Sequence, residues 1–265
     1  MAAAELQSGG DVSVSLRGVN KTFASGITAL DRLDLDLRPG EFVSLLGPSG
    51  CGKSTALRLV AGLMEPTRGT VSWPGGQRPS GRHGQIGFVF QEPTLMPWAS
   101  VAGNVALPLS LRRFDRAATD ARVAASLKQV GLDGFAASYP RELSGGMKMR
   151  ASIARALVTE PALLLMDEPF AALDEVTRFR LNDDLLALWR EVRRTVVFVT
   201  HSVFESVYLS ERIVVMTSRP GRVFTEIKID APYPRDRQFR TSADYAALCR
   251  QVSEALADAT VGGGA

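Results

Sequence analysis

Apolar positions divide the chain into strand-like and helix-like segments. Residues 12–16 and 33–37 alternate apolar and polar positions, which predicts two half-buried antiparallel strands. Continuous apolar runs predict strands buried on both faces, of the kind found in parallel sheets. The continuous runs span residues 42–46, 86–90, 162–166, 195–200 and 212–216. A further short strand-like segment lies at 69–73.

Helical periodicity appears between these strands and after them. Prolines interrupt residues 92–108 before the helical pattern resumes, so we expect a helical subdomain over about 92–158, inserted between two strand-rich portions. The segments with helical periodicity span residues 55–61, 115–130, 147–157, 175–189 and 242–257.

One large domain is predicted for most of the chain. It spans residues 11–258, of which about 217–258 form a C-terminal extension with basic turns and a last helix. Residues 1–10 are small and polar and are predicted to be disordered, and the glycine-rich residues 259–265 are predicted to be a flexible tail.

A glycine-rich turn lies between the apolar run at 42–46 and a helical segment. Strand, turn and helix in this order, with G-x-x-x-x-G-K-[ST] at the turn, predict a phosphate-binding P-loop. Glycines let backbone N–H groups curl around a phosphate, and the helix adds unpaired amides and a positive dipole end. Lys53 supplies a charge for the β- and γ-phosphates, and the Ser54 hydroxyl can bind Mg²⁺. The turn contains Gly47, Pro48, Ser49, Gly50, Cys51, Gly52, Lys53, Ser54 and Thr55.

The composition is that of an ordinary globular protein. Its 265 residues are 45% hydrophobic and 22% charged, and the formal charge of +3 does not argue for nucleic acid as a partner. No apolar run approaches the roughly 20 residues of a spanning helix, and the N-terminus shows no signal pattern, so any membrane role is expected to come through a partner. Cys51 and Cys249 suit a reducing cytosol, and Cys51 is interpreted as a packed side chain rather than a reactive thiol.

Further motifs narrow the class of P-loop protein. A Leu-Ser-Gly-Gly sequence at residues 143–146 opens a helix between the P-loop and an apolar run that ends in Asp167 and Glu168. This order resembles the ATP-binding cassette (ABC) ATPases, and the resemblance covers residues 12–216. It implies an α/β fold: a P-loop NTPase (RecA-like) core with a mainly parallel sheet, an N-terminal antiparallel β subdomain and a helical insert subdomain. It also implies hydrolysis of ATP with Mg²⁺.

The residue types fit the roles that the resemblance implies. Asp167, at the carboxyl end of a strand, can hold Mg²⁺ opposite Ser54. Glu168 can then act as general base or orient the attacking water. Gln91 matches the Q-loop glutamine of the family, a ligand of Mg²⁺ and water. His201 matches the switch histidine, which contacts the γ-phosphate.

A second phosphate grip is predicted far from the P-loop in sequence. Ser144, Gly145 and Gly146 present a hydroxyl and bare amides at a helix start. In ABC proteins this grip serves the ATP on the other subunit, so the resemblance implies a homodimer with two shared sites. Asp174 matches the D-loop of the family. Phe23 matches its adenine-stacking position, although a core phenylalanine is the alternative from the pattern alone.

Finer resemblance points to one group of importers. Leu-Met-Pro-Trp at 95–98, Thr-His-Ser at 200–202 and Arg-Pro-Gly-Arg at 219–222 resemble the nitrate/sulfonate/taurine importer ATPases, although the last could be only a solvated loop. Such subunits energise a separate membrane permease, fed by a substrate-binding protein, at the cytoplasmic face of the inner membrane. The chain departs from many family members at Met147 and Met149, where glutamine is usual; activity is expected to survive.

Two other functions are compatible with a single ABC cassette. A soluble ABC ATPase that acts on DNA or ribosomes is the main alternative, but the insert is too short for a long coiled coil and only one cassette is present. A regulatory module that binds ATP without turnover is disfavoured by the intact Lys53, Asp167, Glu168 and His201. Trp98 is expected to be an exposed anchor for the permease, with packing inside the helical subdomain as the alternative.

Overall fold

Nine strands and eight α-helices are present in the residues that a computed structural model describes, 14–73 and 86–261. The strands are β1 (Val14–Thr22), β2 (Thr28–Leu37), β3 (Phe42–Leu46), β4 (Arg68–Ser72), β5 (Ile86–Val89), β6 (Leu163–Asp167), β7 (Thr195–Thr200), β8 (Arg212–Met216) and β9 (Val223–Lys228). The helices are α1 (Lys53–Val60), α2 (Val101–Leu111), α3 (Arg116–Gln129), α4 (Gly145–Leu157), α5 (Glu175–Val192), α6 (Val203–Leu209), α7 (Arg237–Arg240) and α8 (Ala243–Val261). None of these helices is long and apolar enough to cross a membrane.

The larger sheet has the strand order β5-β6-β7-β3-β8-β9. Its neighbours run parallel except for β8 and β9. The central strands β3, β6, β7 and β8 are buried at every position, because both faces of the sheet are covered. Phe42 and Phe198 face a cluster formed with α2–α6 and α8, whereas Val43 and Val199 face one formed with α1 and the smaller sheet. The predicted α/β core is confirmed.

The smaller sheet has the order β2-β1-β4 and is antiparallel. Val14 pairs with Leu37 and Leu16 with Leu35, and all four side chains are buried. The alternation of apolar and polar residues therefore turns one face toward α1, as predicted for the two N-terminal strands.

Helices α2, α3 and α4 contact one another and fill the insert between β5 and β6. Helix α2 was not predicted, because Pro108 lies inside it and had been interpreted as a break. Ser100 caps its start by accepting from the Gly103 N–H at 3.1 Å. The buried residues of these helices join the cluster on one face of the larger sheet, and the exact bounds of a subdomain over 92–158 stay a prediction.

The C-terminal extension differs from its predicted form in two places. It contains an edge strand, β9, where only turns were predicted, and its last helix reaches Val261 instead of ending near residue 257. The predicted flexible tail began at residue 259, but Ala259 is fully buried within α8. Residues 262–265, like the predicted disordered segment 1–10, lie outside the described residues.

Candidate nucleotide site

Four predicted site segments follow neighbouring strands of the larger sheet. Gln91 comes after β5, Glu168 after β6, His201 after β7, and the P-loop after β3. The strand order β5-β6-β7-β3 sets these segments side by side, because parallel strands end at the same edge of a sheet. Open α/β sheets bind their ligands at this edge.

The P-loop packs closely against strand β2. Gly52, at the start of α1, has φ +103°, and a Cβ there would lie 2.7 Å from the Ala29 carbonyl oxygen, so only glycine fits. Within the described chain no side chain caps α1, which leaves the amides of its first turn for an anion such as phosphate. Cys51 is buried, and burial raises the pKa of its thiol, which favours packing over reactivity.

Lys53 brings a positive charge into the concave side of the loop. Its side chain is 4% exposed, and its ammonium donates to the carbonyl oxygens of Gly47 at 2.7 Å and Pro48 at 2.9 Å. An oxygen of the Glu168 carboxylate lies 3.7 Å from the same ammonium. A buried ammonium needs such partners, and here they hold its charge beside the open amides of α1.

Ser54 and Asp167 form an oxygen-rich pair next to the loop. The Ser54 hydroxyl donates to an Asp167 carboxylate oxygen at 2.8 Å. Asp167 ends β6 and is buried, and burial raises the pKa of its carboxyl while the Ser54 hydrogen bond opposes that rise. Hydroxyl and carboxylate oxygens are ligands that Mg²⁺ takes at nucleotide sites. A cation would also offset the cost of the buried carboxylate, so these residues fit Mg²⁺.

Glu168 and His201 face each other beside Lys53. The distance between Glu168 Oε2 and His201 Nδ1 is 3.2 Å. Glu168 has φ +46°, which is uncommon for a residue with a side chain. Its N–H donates to the Val199 carbonyl at 3.0 Å, which helps to hold this backbone. Strain that the surroundings maintain is typical of functional positions.

Gln91 and Phe23 lie at the surface. Gln91 is exposed two residues after the end of β5. Phe23 lies in the turn between β1 and β2, is 36% exposed, and has the Lys21 ammonium 5.7 Å from its ring centroid. The exposed ring argues against the alternative of a core phenylalanine and leaves a face on which an adenine could stack. Contacts of either residue with a nucleotide stay predictions.

The second predicted phosphate grip forms a separate cluster with Asp174. Ser144 caps α4, its hydroxyl accepting from the Met147 N–H at 3.3 Å. Asp174 caps α5 in the same way, accepting from the Thr177 N–H at 2.9 Å. This backbone hydrogen bond lowers the pKa of the Asp174 carboxyl. Each cap satisfies an amide that the helix itself leaves unpaired.

Two glycines let α4 approach α5 closely. A Cβ on Gly146 would lie 2.7 Å from Cγ2 of Thr177, and one on Gly145 would lie 3.4 Å from Leu173. Helix α4 packs against α2, α3, α5 and β5. The grip is therefore joined to the Asp174 segment, whereas the contacts of Lys53 are with the P-loop and the end of β6. Met149, one of the two departures from the family pattern, is a buried core residue.

A buried network that the sequence analysis missed links these two clusters. Glu205 on α6 is 7% exposed and accepts from the Thr200 hydroxyl at 2.5 Å, one residue before the histidine. Arg178 on α5 has its Nε 3.7 Å from the other Glu205 oxygen and donates to the Leu173 carbonyl at 2.9 Å. The sequence places this glutamate four residues after the histidine, but its burial is visible only in the structure.

Comparisons with known proteins agree with this geometry. The family model described as ABC transporter matches residues 30–171. The chain is 48% identical to the aliphatic sulfonates import ATP-binding protein of Pseudomonas syringae, over 85% of this chain and 89% of the relative. It is 42% identical to the protein of that name from Bacillus cereus, over 91% of this chain and 94% of the relative. A solved dimeric ATP-binding cassette, bound to ADP and Pi, superposes with a TM-score of 0.73 at 36% identity, over 83% of this chain and 100% of that chain.

Proposed function

Because the chain belongs to the ABC transporter family of ATP-binding proteins, we propose that it hydrolyses ATP with Mg²⁺ to drive import of a nitrate-, sulfonate- or taurine-like solute. The energy passes to a separate membrane permease, which a substrate-binding protein feeds, and the chain docks on that permease at the cytoplasmic face of the inner membrane. The convergence of Lys53, Asp167, Glu168 and His201 supports the hydrolysis. Similarity to relatives named for sulfonate import supports the solute class.

Binding uses charge and oxygen donors that are already in position. Lys53 and the open amides of α1 bind the phosphates, and Phe23 stacks on the adenine. Ser54, Asp167 and Gln91 would hold Mg²⁺, which would neutralise phosphate charge. The Ser54–Asp167 hydrogen bond of 2.8 Å supports this set, because it keeps two of the three oxygen donors together.

Hydrolysis uses the carboxylate beside Lys53. Glu168 accepts a proton from the attacking water while the water oxygen bonds to the γ-phosphorus. The bond between the γ-phosphorus and the β–γ bridging oxygen breaks, which gives ADP and phosphate. His201, 3.2 Å from Glu168, orients that carboxylate and meets the γ-phosphate.

The first test removes the proposed base. Glu168→Gln keeps the side-chain size but lacks the proton acceptor, so we expect turnover to fall by about 10²- to 10⁴-fold while ATP affinity changes little. Phosphate release with ATP and Mg²⁺ measures turnover, and equilibrium binding measures affinity. Asp230→Asn is a matched control, because it neutralises an exposed carboxylate just after β9. Turnover that survives in Glu168→Gln would show that another group activates the water.

Two chains share their ATP sites in this proposal. The sequence has one P-loop, while Ser144 and Gly145 form an exposed second grip in a separate cluster. Because this grip packs against α5 and not against the P-loop of its own chain, we infer that it binds phosphate held by a second copy. The similarity to a dimeric cassette supports this arrangement.

The same base variant tests the dimer. Glu168→Gln binds ATP without consuming it, so ATP with Mg²⁺ should convert monomer to dimer in light scattering. Lys53→Ala in the Glu168→Gln background is the control and should stay monomeric, because it lacks the phosphate-binding charge. If Glu168→Gln stays monomeric at high concentration, both with and without the permease, the shared-site model is wrong.

A groove beside the Q-loop segment suits the permease. It has a volume of about 1050 Å³ and is lined in part by Phe90, Thr94 and Leu111. Arg155 fixes its border by donating to the carbonyl oxygens of Pro93 and Thr94, each at 2.8 Å. Leu111 is 76% exposed and Leu63, which lines the same groove, is 65% exposed, so the groove presents more than one exposed apolar side chain. An apolar permease segment in this groove would be close to Gln91 and hence to the nucleotide.

Trp98 tests the permease contact. It is 76% exposed, so Trp98→Ala should change the free energy of unfolding by less than about 0.5 kcal/mol. Permease association and transport should fall, while ATP binding by the isolated chain stays near normal. Phe224→Ala is the control, because Phe224 is exposed on β9, at the opposite sheet edge from β5. Normal transport by Trp98→Ala would remove Trp98 from the interface.

A further inference from the structure

The turn after β8 lies against the phosphate-binding loop. Strand β8 pairs with β3 in parallel, so the segments that follow the two strands leave the sheet side by side. One is the P-loop and the other is the Arg-Pro-Gly-Arg turn at 219–222. The sequence left open whether this turn is only a solvated loop, and its contacts decide against that interpretation.

Arg219 bonds directly to the loop. Its Nε donates to the carbonyl oxygen of Gly50 at 3.1 Å. In a planar trans peptide the C=O and the following N–H point in opposite directions, so Arg219, by holding the Gly50 carbonyl, also fixes the direction of the Cys51 N–H on the other side of the peptide. The Cys51 N–H donates to the Pro48 carbonyl oxygen at 3.3 Å, and the Lys53 ammonium donates to the same oxygen at 2.9 Å, so the N–H and the ammonium face the same space within the loop. Three hydrogen bonds thus connect Arg219 to the buried ammonium.

The turn that carries Arg219 is fixed on both sides. Gly221 donates its N–H to the Ala29 carbonyl at 2.9 Å and accepts from the Asp31 N–H at 3.1 Å. Arg222 forms an ion pair with Asp31. On the other side, a Cβ on Gly221 would lie 2.0 Å from the Cys51 carbonyl oxygen, so the turn touches the loop with no space between them. The Arg219 backbone therefore has a fixed position relative to the loop.

We propose that Arg219 is a positioning residue of the nucleotide site, which holds the Gly50–Cys51 peptide with its N–H inward for the β-phosphate. This inference rests on the proposed ATP-binding function. The guanidinium also polarises the peptide that it holds, which makes the Cys51 N–H a stronger donor to an anion. A positive charge behind the loop adds to that of Lys53 without competing for the phosphate.

The test uses calorimetry to measure the affinity of the full chain for AMP, ADP and ATP, which differ in the number of phosphates. Arg219→Ala should weaken the binding of ADP and ATP about tenfold, the scale of one charge-assisted hydrogen bond. The binding of AMP should weaken less than about twofold, because AMP lacks the β-phosphate that P-loop amides cradle. Arg219→Lys keeps a cationic donor and should return ADP affinity to within about threefold of the wild type. In steady-state hydrolysis Arg219→Ala should raise KM and leave kcat nearly unchanged.

Controls separate positioning from folding and from turnover. Arg237→Ala removes another exposed arginine of the extension and should leave ADP affinity unchanged. Unchanged ADP affinity in Arg219→Ala, or equal losses for AMP and ADP, would overturn the proposal. ADP binding requires no hydrolysis, so a wild-type chain that binds ADP but does not cleave ATP would refute the proposed function and still test Arg219. The expected result is a loss that grows from AMP to ADP and is recovered by Arg219→Lys.

Discussion

The P-loop cluster and the cluster around Ser144 are completed in different ways. In the first, functional side chains bond to one another across long sequence separations: Ser54 to Asp167, Lys53 to Glu168, and Glu168 to His201. In the second, the functional hydroxyl of Ser144 bonds only three residues ahead, as a helix cap. The same contrast holds for the Asp174 carboxylate, which caps α5.

This difference separates two kinds of site. The P-loop cluster has its charges, its oxygens and the proposed general base, Glu168, within one chain, so its chemistry can be proposed from one chain. In the described part of the chain, the polar side chains of the Ser144 cluster, Ser144 and Asp174, bond to the first turns of α4 and α5 rather than to the P-loop cluster. The proposed shared site gives this cluster a role only when a second copy presents phosphate to it.

The largest expected effects come from breaking the P-loop cluster at two of its members. Lys53→Ala removes a ground-state contact with the phosphates, so ATP affinity should fall by at least about tenfold. His201→Ala should slow turnover by about 10²-fold and leave ATP affinity within about threefold, because the histidine acts through Glu168 during the reaction. Equilibrium binding and single-turnover phosphate release measure the two effects.

Arg58→Ala is the control for the lysine. Arg58 is an exposed cation on α1, five residues after Lys53, so its loss should leave affinity and turnover within about twofold of the wild type. Equal losses of ATP affinity in Lys53→Ala and His201→Ala would contradict the separate roles and would make the cluster a single binding unit.

Sequence prediction succeeded where one continuous segment carries both structure and chemistry. The P-loop, the apolar run before Asp167 and the run before His201 each combine a strand with a candidate site residue, so the strands of the larger sheet followed from local pattern, and the candidate residues lie together at one edge of that sheet. Helix α2 was not predicted because Pro108 is unfavourable inside a helix. A Ser100 cap and the burial of Val105 in the core compensate for the proline.

Contacts between distant segments were beyond sequence prediction. Nothing local indicates that Arg219 meets Gly50, since that contact follows from the pairing of β8 with β3. Glu205 and Arg178 are likewise 27 residues apart and meet only because α5 and α6 pack together. A glutamate on a helix predicts an exposed face by default, and only tertiary structure shows that this one is buried.

An intermediate effect is expected at the second cluster. Ser144→Ala removes the cap of α4, so the free energy of unfolding should fall by about 1 kcal/mol. ATP affinity of the monomer should not change, while the ATP-induced dimer of Glu168→Gln should weaken when Ser144→Ala is added. Denaturant unfolding and light scattering give the two readouts.

Ser100→Ala is the matched control for this cap. Ser100 caps α2 through the Gly103 N–H at 3.1 Å, in the same geometry, and should lower stability by a similar amount without affecting the dimer. If both serine variants weaken the dimer equally, Ser144 acts only through helix stability and the idea of a second phosphate grip loses its support.

The smallest expected effect concerns Glu205, which connects the two clusters. Burial raises the pKa of its carboxyl above the ordinary value of 4.5, although the Thr200 hydrogen bond and Arg178 oppose the rise. The folded protein therefore keeps this proton to higher pH than the unfolded chain does, and the wild type loses stability as pH rises from about 4.5 through the folded pKa.

Glu205→Gln keeps an acceptor for Thr200 and has no such titration. We expect it to be more stable than the wild type at pH 7.5, by up to about 1 kcal/mol, with the difference disappearing near pH 4.5. Melting curves at both pH values measure this, with substitution of an exposed glutamate on α8, Glu254→Gln, as the control. A variant less stable than the wild type at pH 7.5 would mean that the Arg178 ion pair outweighs burial, and that the link between the clusters depends on charge rather than on hydrogen bonding.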